Sequence, residues 1–196
     1  MSGFTCTVYG SVVDSLLERA GRMPLDAGTP DAVIGRRLAA LGPADLFAGW
    51  AAVADPAAAA ACLSALWLRF GFLDESHRLS QGIATVEGSF WHAIMHRREG
   101  DYANAKYWFR RVGEHPVFAS LKDAAADVAL MGDGPAARVV AAQAAWDPFV
   151  FVDLCEIVVA AGKPDDLLWC QIQRLEWEIL FDYCWLAATG GRNAPR

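Results

Sequence analysis

Apolar residues recur along this chain at the spacing of amphipathic helices, and no stretch shows the two-residue alternation of strands. Breakers divide the pattern. Ser11 to Ala20 and Asp31 to Leu41 read as two short amphipathic helices, the second opened by Asp31 and stopped by Gly42-Pro43. Asp55 to Leu73 is an alanine-rich helix with Asp55 as N-cap and Pro56 at its first position, and a short helix follows from about Asp74 to Gln81. Gly88 to Glu99 and Asp101 to Val112 form a helical hairpin, with Gly100 suited to the left-handed C-terminal position and Asp101 to the next N-cap. Pro116 to Ala125 is one more predicted helix. The glycine-rich stretch Met131 to Pro135 is a loop with a helix after it to Ala145.

Asp147-Pro148 opens a helix that runs to Ala161 and is closed by Gly162-Lys163-Pro164. The last helix, Asp165 to Ala188, is the longest. Leu168, Ile172, Leu175 and Ile179 recur along one face with Trp169, Trp177 and Leu180 beside them, a stripe wide enough to bury against several helices. The pattern predicts an all-α fold, an irregular bundle of eight or nine helices in a single domain over 1–196, with frayed ends at 1–10 and 190–196. In the hairpin of about 88–113, Gly100, Tyr102, Ala105 and Phe109 match the spacing of one tetratricopeptide unit. No copy stands 34 residues away on either side, so an array is not expected.

Composition adds limits. With 196 residues and 55% hydrophobic content the chain can bury a full core. A net charge of −6 argues against a nucleic-acid-coating protein and against a polybasic membrane binder, so neither nucleic acid nor a membrane is an expected partner. The apolar run Pro56 to Leu68 is too short to span a bilayer. The opening MSGFTCTVYG has neither a basic n-region nor a long apolar h-region, so no secretory signal is expected. The five cysteines, Cys6, Cys62, Cys155, Cys170 and Cys184, include no CxxC pair, and the last four sit in apolar helical contexts as small hydrophobes. A reducing cytoplasm is the expected compartment.

Candidate chemistry concentrates in one block. His92, His96 and His115 lie between Trp91 and Pro116, and His77 precedes them. At 100° per residue His92, His96 and Glu99 share one narrow face of their helix, while Phe90, Trp91, Ile94 and Met95 fill the core side. The i,i+4 pair of histidines with Glu99 as third donor is a candidate metal set, compatible with zinc or non-haem iron. HxxxH is not HExxH, so a metalloprotease mechanism is not supported.

Lys106 and Arg110 share a face of the next helix. The block carries five of the chain's 17 basic residues, a local positive patch on an acidic protein that suits a small anionic ligand. His115 falls at a helix start, where the helix dipole favours neutral imidazole, and either ligation or capping fits it. His77 can pair with Gln81. Ser76 and His77 point apart and make no nucleophile–base pair. Asp153 with Glu156 and Glu178 with Asp182 are further carboxylate pairs, able to complete a metal site or to act as acid and base.

The words L-D-E-S-H-R-L-S-Q, W-H-A-I-M-H-R-R-E-G-D-Y-A-N-A-K-Y-W-F-R-R-V-G-E-H-P-V-F and W-D-P-F-V-F-V-D-L-C-E resemble an uncharacterised family of soluble microbial proteins with distant relatives in fungi. The likeness covers roughly 60–188. It implies a shared fold and places all four histidines within motif words, without a catalytic assignment. Two functions follow as expectations. One is a pocket for a small anionic ligand or a metal such as zinc, lined by His77, His92, His96, Lys106, Arg110 and His115, with scope for hydrolysis. The other is a non-catalytic helical interaction module that holds a partner peptide or a second copy of the chain, with tryptophans as anchors.

Overall fold

The computed structural model describes residues 9–50 and 52–191. Among them are ten α-helices and no strand: α1 (Ser11–Leu17), α2 (Ala32–Ala39), α3 (Pro56–Arg69), α4 (Leu73–Ser80), α5 (Val86–Glu99), α6 (Tyr102–Val112), α7 (Val117–Ala129), α8 (Pro135–Ala141), α9 (Pro148–Ala160) and α10 (Leu167–Thr189). A 3-10 helix over Pro43–Phe47 is added where a stop was expected. The all-α bundle therefore stands, with slightly more helices than the eight or nine predicted. No helix of the described residues is long and apolar enough to cross a membrane. Most of the segments expected to fray lie outside the described residues. Within them Tyr9 is buried, and its hydroxyl donates to Asp182.

The boundaries follow local chemistry. Asp55, Asp101, Asp147 and Asp166 each accept backbone N–H bonds at the start of their helices. α5 begins two residues earlier than its hydrophobic pattern indicated, because Thr85 is the N-cap and accepts from the Gly88 amide. It ends at Gly100, φ 86°, where the Asp101 amide donates to the His96 carbonyl and that of Gly100 to Arg97. This is a Schellman closure. The Asp101 side chain at once caps α6 through the Asn104 amide. The turn between α5 and α6 is thereby fixed from both sides.

α5 is the pivot of the bundle and packs on α3, α4, α6 and α9, while α10 packs on α3 and α7. Every residue of α5 from Gly88 to Arg98 is buried. Its polar face, which in a surface helix would meet water, is covered by α4 and α6. Polar groups buried in this way require partners, and those partners define the site.

A candidate metal centre of three histidines

α4 is anchored to α3 by Ser64, whose Oγ donates to the Ser76 carbonyl at 3.0 Å, which leaves His77 and Ser80 facing α5. Gly88 lets the two helices close. A Cβ there would stand 2.3 Å from the Ile83 carbonyl oxygen in the connecting loop. The rings of His77, His92 and His96 then gather. Centroids are 4.6 Å apart for His77–His92, 4.6 Å for His92–His96 and 5.3 Å for His77–His96. One ring nitrogen from each falls within 4.8 Å of the others.

Two of the three imidazoles are held by outer partners. Nδ1 of His92 is 2.9 Å from Ser80 Oγ, and Nδ1 of His96 is 2.6 Å from Glu99 Oε1. Each arrangement engages Nδ1 and leaves Nε2 for another role, the pattern by which proteins orient ligating histidines. Trp108 of α6 covers His92 with a centroid distance of 4.2 Å, and the Arg111 guanidinium lies 5.1 Å from the Trp108 ring. Burial first, and then the nearby imidazoles of His96 and His77, push the His92 pKa down to about 3. His92 is therefore neutral at physiological pH, as a metal ligand must be.

Glu99 has a double position. It orients His96, and with His96 and Asp101 it forms a second group whose donor atoms lie within 4.8 Å of one another. The trio that includes His92 is completed by His77, expected in the pocket from the sequence, while the third metal donor expected there was Glu99.

The remaining residues named from the sequence lie elsewhere. His115 stands across α5, with Nε2 3.6 Å from Glu87 Oε1 and its ring against Phe90, Phe118 and Tyr183. Glu87 and Phe90 project about 140–160° away from His92 around the helix. His115 Nδ1 accepts from the Val117 amide and so caps α7. Lys106 pairs with Asp153 of α9, and Arg110 lies over Phe149 of the same helix. These two residues occupy the side of α6 opposite Trp108. Glu178 is bound by Arg174 at 2.6 Å. Of the six candidate ligand residues, the structure unites His77, His92 and His96 and keeps Lys106, Arg110 and His115 apart from them.

The cysteines form no second centre among the described residues. Cys62, Cys155, Cys170 and Cys184 are free and buried, and burial pushes Cys155 and Cys184 up to about 12. They are thiols at neutral pH and act as packing. Cys6 lies outside the described residues.

Sequence reasoning missed the buried cations next to this centre. Arg97 forks onto Glu176, with Nη2–Oε2 at 2.5 Å and Nη1–Oε1 at 3.3 Å, and also donates to Gln173 at 3.2 Å. Arg98 donates to the carbonyls of Asp26, Ala27 and Leu68. The available signal was the i,i+3 pair Gln173 and Glu176, two polar residues that share a face of α10 with the apolar Trp169, Trp177 and Leu180.

No protein-family model, curated protein or solved structure matches the chain.

Proposed function

We propose that this protein binds one divalent transition-metal ion, zinc on its donor set, through His77, His92 and His96. The observation that carries this reading is the convergence of three imidazoles from two helices, two of them with Nδ1 already engaged by Ser80 and Glu99. A tetrahedral zinc with bonds of about 2.0–2.1 Å sets its donor nitrogens about 3.3 Å apart. The three donor atoms now lie within 4.8 Å of one another.

A core has no need of this cluster. Three mutually facing imidazoles repel when protonated. An ion that accepts one lone pair from each replaces that repulsion with bonding. Three protein donors also leave a tetrahedral ion one position for water or for an anionic oxygen, which is the arrangement of catalytic rather than purely structural zinc. When bound, such an ion supplies Lewis acidity and a water of lowered pKa, the basis for hydrolysis of a small anionic substrate. The protein's own contributions are to fix His96 through Glu99, to keep His92 neutral, and to exclude bulk water with Trp108.

The deciding experiment is elemental analysis of protein purified without an affinity tag, followed by cobalt(II) titration of the chelator-treated chain. One equivalent of metal and visible d–d bands of a tetrahedral nitrogen-rich site are expected. Both should be lost in His92→Ala and kept in His115→Ala. Wild-type protein that takes up no stoichiometric metal, or His92→Ala that binds as wild type, overturns the reading.

A further inference from the structure

A polar cavity of about 490 Å³ opens where the segment 21–31 runs past the C-terminal ends of α3 and α5. It shares no lining residue with the histidine trio. Its walls carry four arginines, Arg19, Arg22, Arg69 and Arg98, against three aspartates, Asp26, Asp31 and Asp165. The volume is within the range of small-molecule sites, roughly 300–1,000 Å³.

Two of these arginines are buried in an unusual way. Arg69 is 8% exposed and Arg98 2%, yet no carboxylate oxygen lies within 4 Å of either guanidinium among the described residues. Arg98 spends its donors on three backbone carbonyls. Arg69 donates from Nη2 to the Gly21 carbonyl at 2.7 Å, and its other guanidinium nitrogens meet no protein acceptor among the described residues. Carbonyl dipoles satisfy hydrogen bonds without cancelling charge, and buried charges are ordinarily paired with an opposite charge.

The aspartates do not supply that charge at contact distance. Asp31 is turned to Arg19 and caps α2, and Asp26 accepts from the Gly28 amide. Arg22 makes no side-chain hydrogen bond or ion pair among the described residues and stands exposed on the cavity wall. Two adjacent buried cations, of which Arg69 keeps guanidinium nitrogens without an acceptor, and the exposed Arg22 beside them face one polar hollow.

We propose that this cavity binds a small dianionic oxyanion ligand, a phosphate ester or a dicarboxylate, held by the free donors of Arg69 with Arg22 closing on it from the wall. Guanidinium forks match the planar pair of oxygens that phosphate and carboxylate both present. Two charges on the ligand balance the two buried cations. Burial lowers the pKa of Arg69 to about 10 and that of Arg98 to about 9, the latter lowered further by Arg69.

The test is calorimetric titration of the metal-stripped full chain with inorganic phosphate and, separately, with succinate, at ionic strength held constant by chloride. Saturable one-site binding of at least one of the two is expected. Arg69→Gln and Arg22→Ala should each weaken it by roughly tenfold to a hundredfold, while His92→Ala should leave it unchanged. Arg22→Ala removes an exposed side chain with no hydrogen bonds, so its result does not depend on a folding defect. Failure of both probes to bind, an affinity unchanged in both arginine variants, or loss of binding in His92→Ala overturns the proposal. Each of these outcomes is independent of whether the histidine trio takes a metal.

Discussion

Nδ1 of His96 lies 2.6 Å from Oε1 of Glu99, one turn further along the same helix. The contact sets the tautomer of His96: with Nδ1 bound to a carboxylate, Nε2 carries the lone pair toward His77 and His92. It also makes the imidazole a stronger donor. Glu99 is 37% exposed at its side chain, so its removal opens no core cavity. Glu99→Ala should weaken metal affinity by roughly 10- to 100-fold, with the thermal midpoint of metal-free protein little changed. Competition with a chromophoric chelator measures the first and a melt the second. An affinity equal to wild type would remove Glu99 from the metal centre.

The loop that joins α4 to α5 controls whether His77 can reach its partners at all. Gly88 is in an ordinary helical conformation, so the demand on it is steric. The Ile83 carbonyl oxygen and Cβ would stand 2.3 Å and 2.7 Å from an added Cβ. Gly88→Ala must therefore push the loop off α5. We expect a stability loss of about 1–3 kcal/mol together with weaker metal binding, since α4 moves with the loop. Denaturant unfolding and cobalt titration on the same variant check both. A variant with lowered stability and full affinity would separate the loop from the centre.

These two residues illustrate what could be read in the sequence. The helices were legible because breakers and caps such as Asp55-Pro56, Gly100-Asp101 and Asp147-Pro148 act locally. The pairing of His92 with His96 was legible for the same reason, since i,i+4 neighbours meet on any helix. The entry of His77 depends on the packing of α4 against α5, and helix periodicity within α4 points equally well toward Gln81. Lys106 and Arg110 share a face as expected, but α9 happens to cover that face with Asp153 and Phe149. The buried arginines were hidden by composition: a charged residue in a sequence looks solvated until the structure supplies Glu176 or a row of carbonyls.

Arg97 and Glu176 are both wholly buried at their side chains. The pair joins α5 to α10, and Gln173 extends it to the carbonyls of Met23 and Pro24 at 3.2 and 2.8 Å. Removal of one partner strands the other charge in a low-dielectric interior. Glu176→Leu should cost about 3–5 kcal/mol, and the double variant Arg97→Met with Glu176→Leu should regain much of that loss. Chemical denaturation of both single variants and the double variant gives the coupling energy. Additive losses would show that the two residues act independently.

The acid side of the stability curve should be shaped by Glu87. Its pKa falls from 4.5 to about 2, first because of the His115 imidazole beside its carboxylate, with burial opposing the shift and the local backbone and Thr85 assisting it. A carboxyl whose folded pKa is depressed stabilises the fold above its unfolded value. Between pH 4.5 and about 2 the unfolded chain binds a proton that the folded chain does not, so stability falls as the pH is lowered across that window. The slope from this one group is at most roughly 1.4 kcal/mol per pH unit. Glu87→Gln cannot titrate, so it should start less stable at neutral pH and lose less on acidification. Urea unfolding of wild type and variant at a series of pH values from 6 to 2.5 tests this. Parallel curves for the two proteins would mean that the His115–Glu87 contact contributes nothing to folding, and that His115 is retained at this position for its cap on α7 alone.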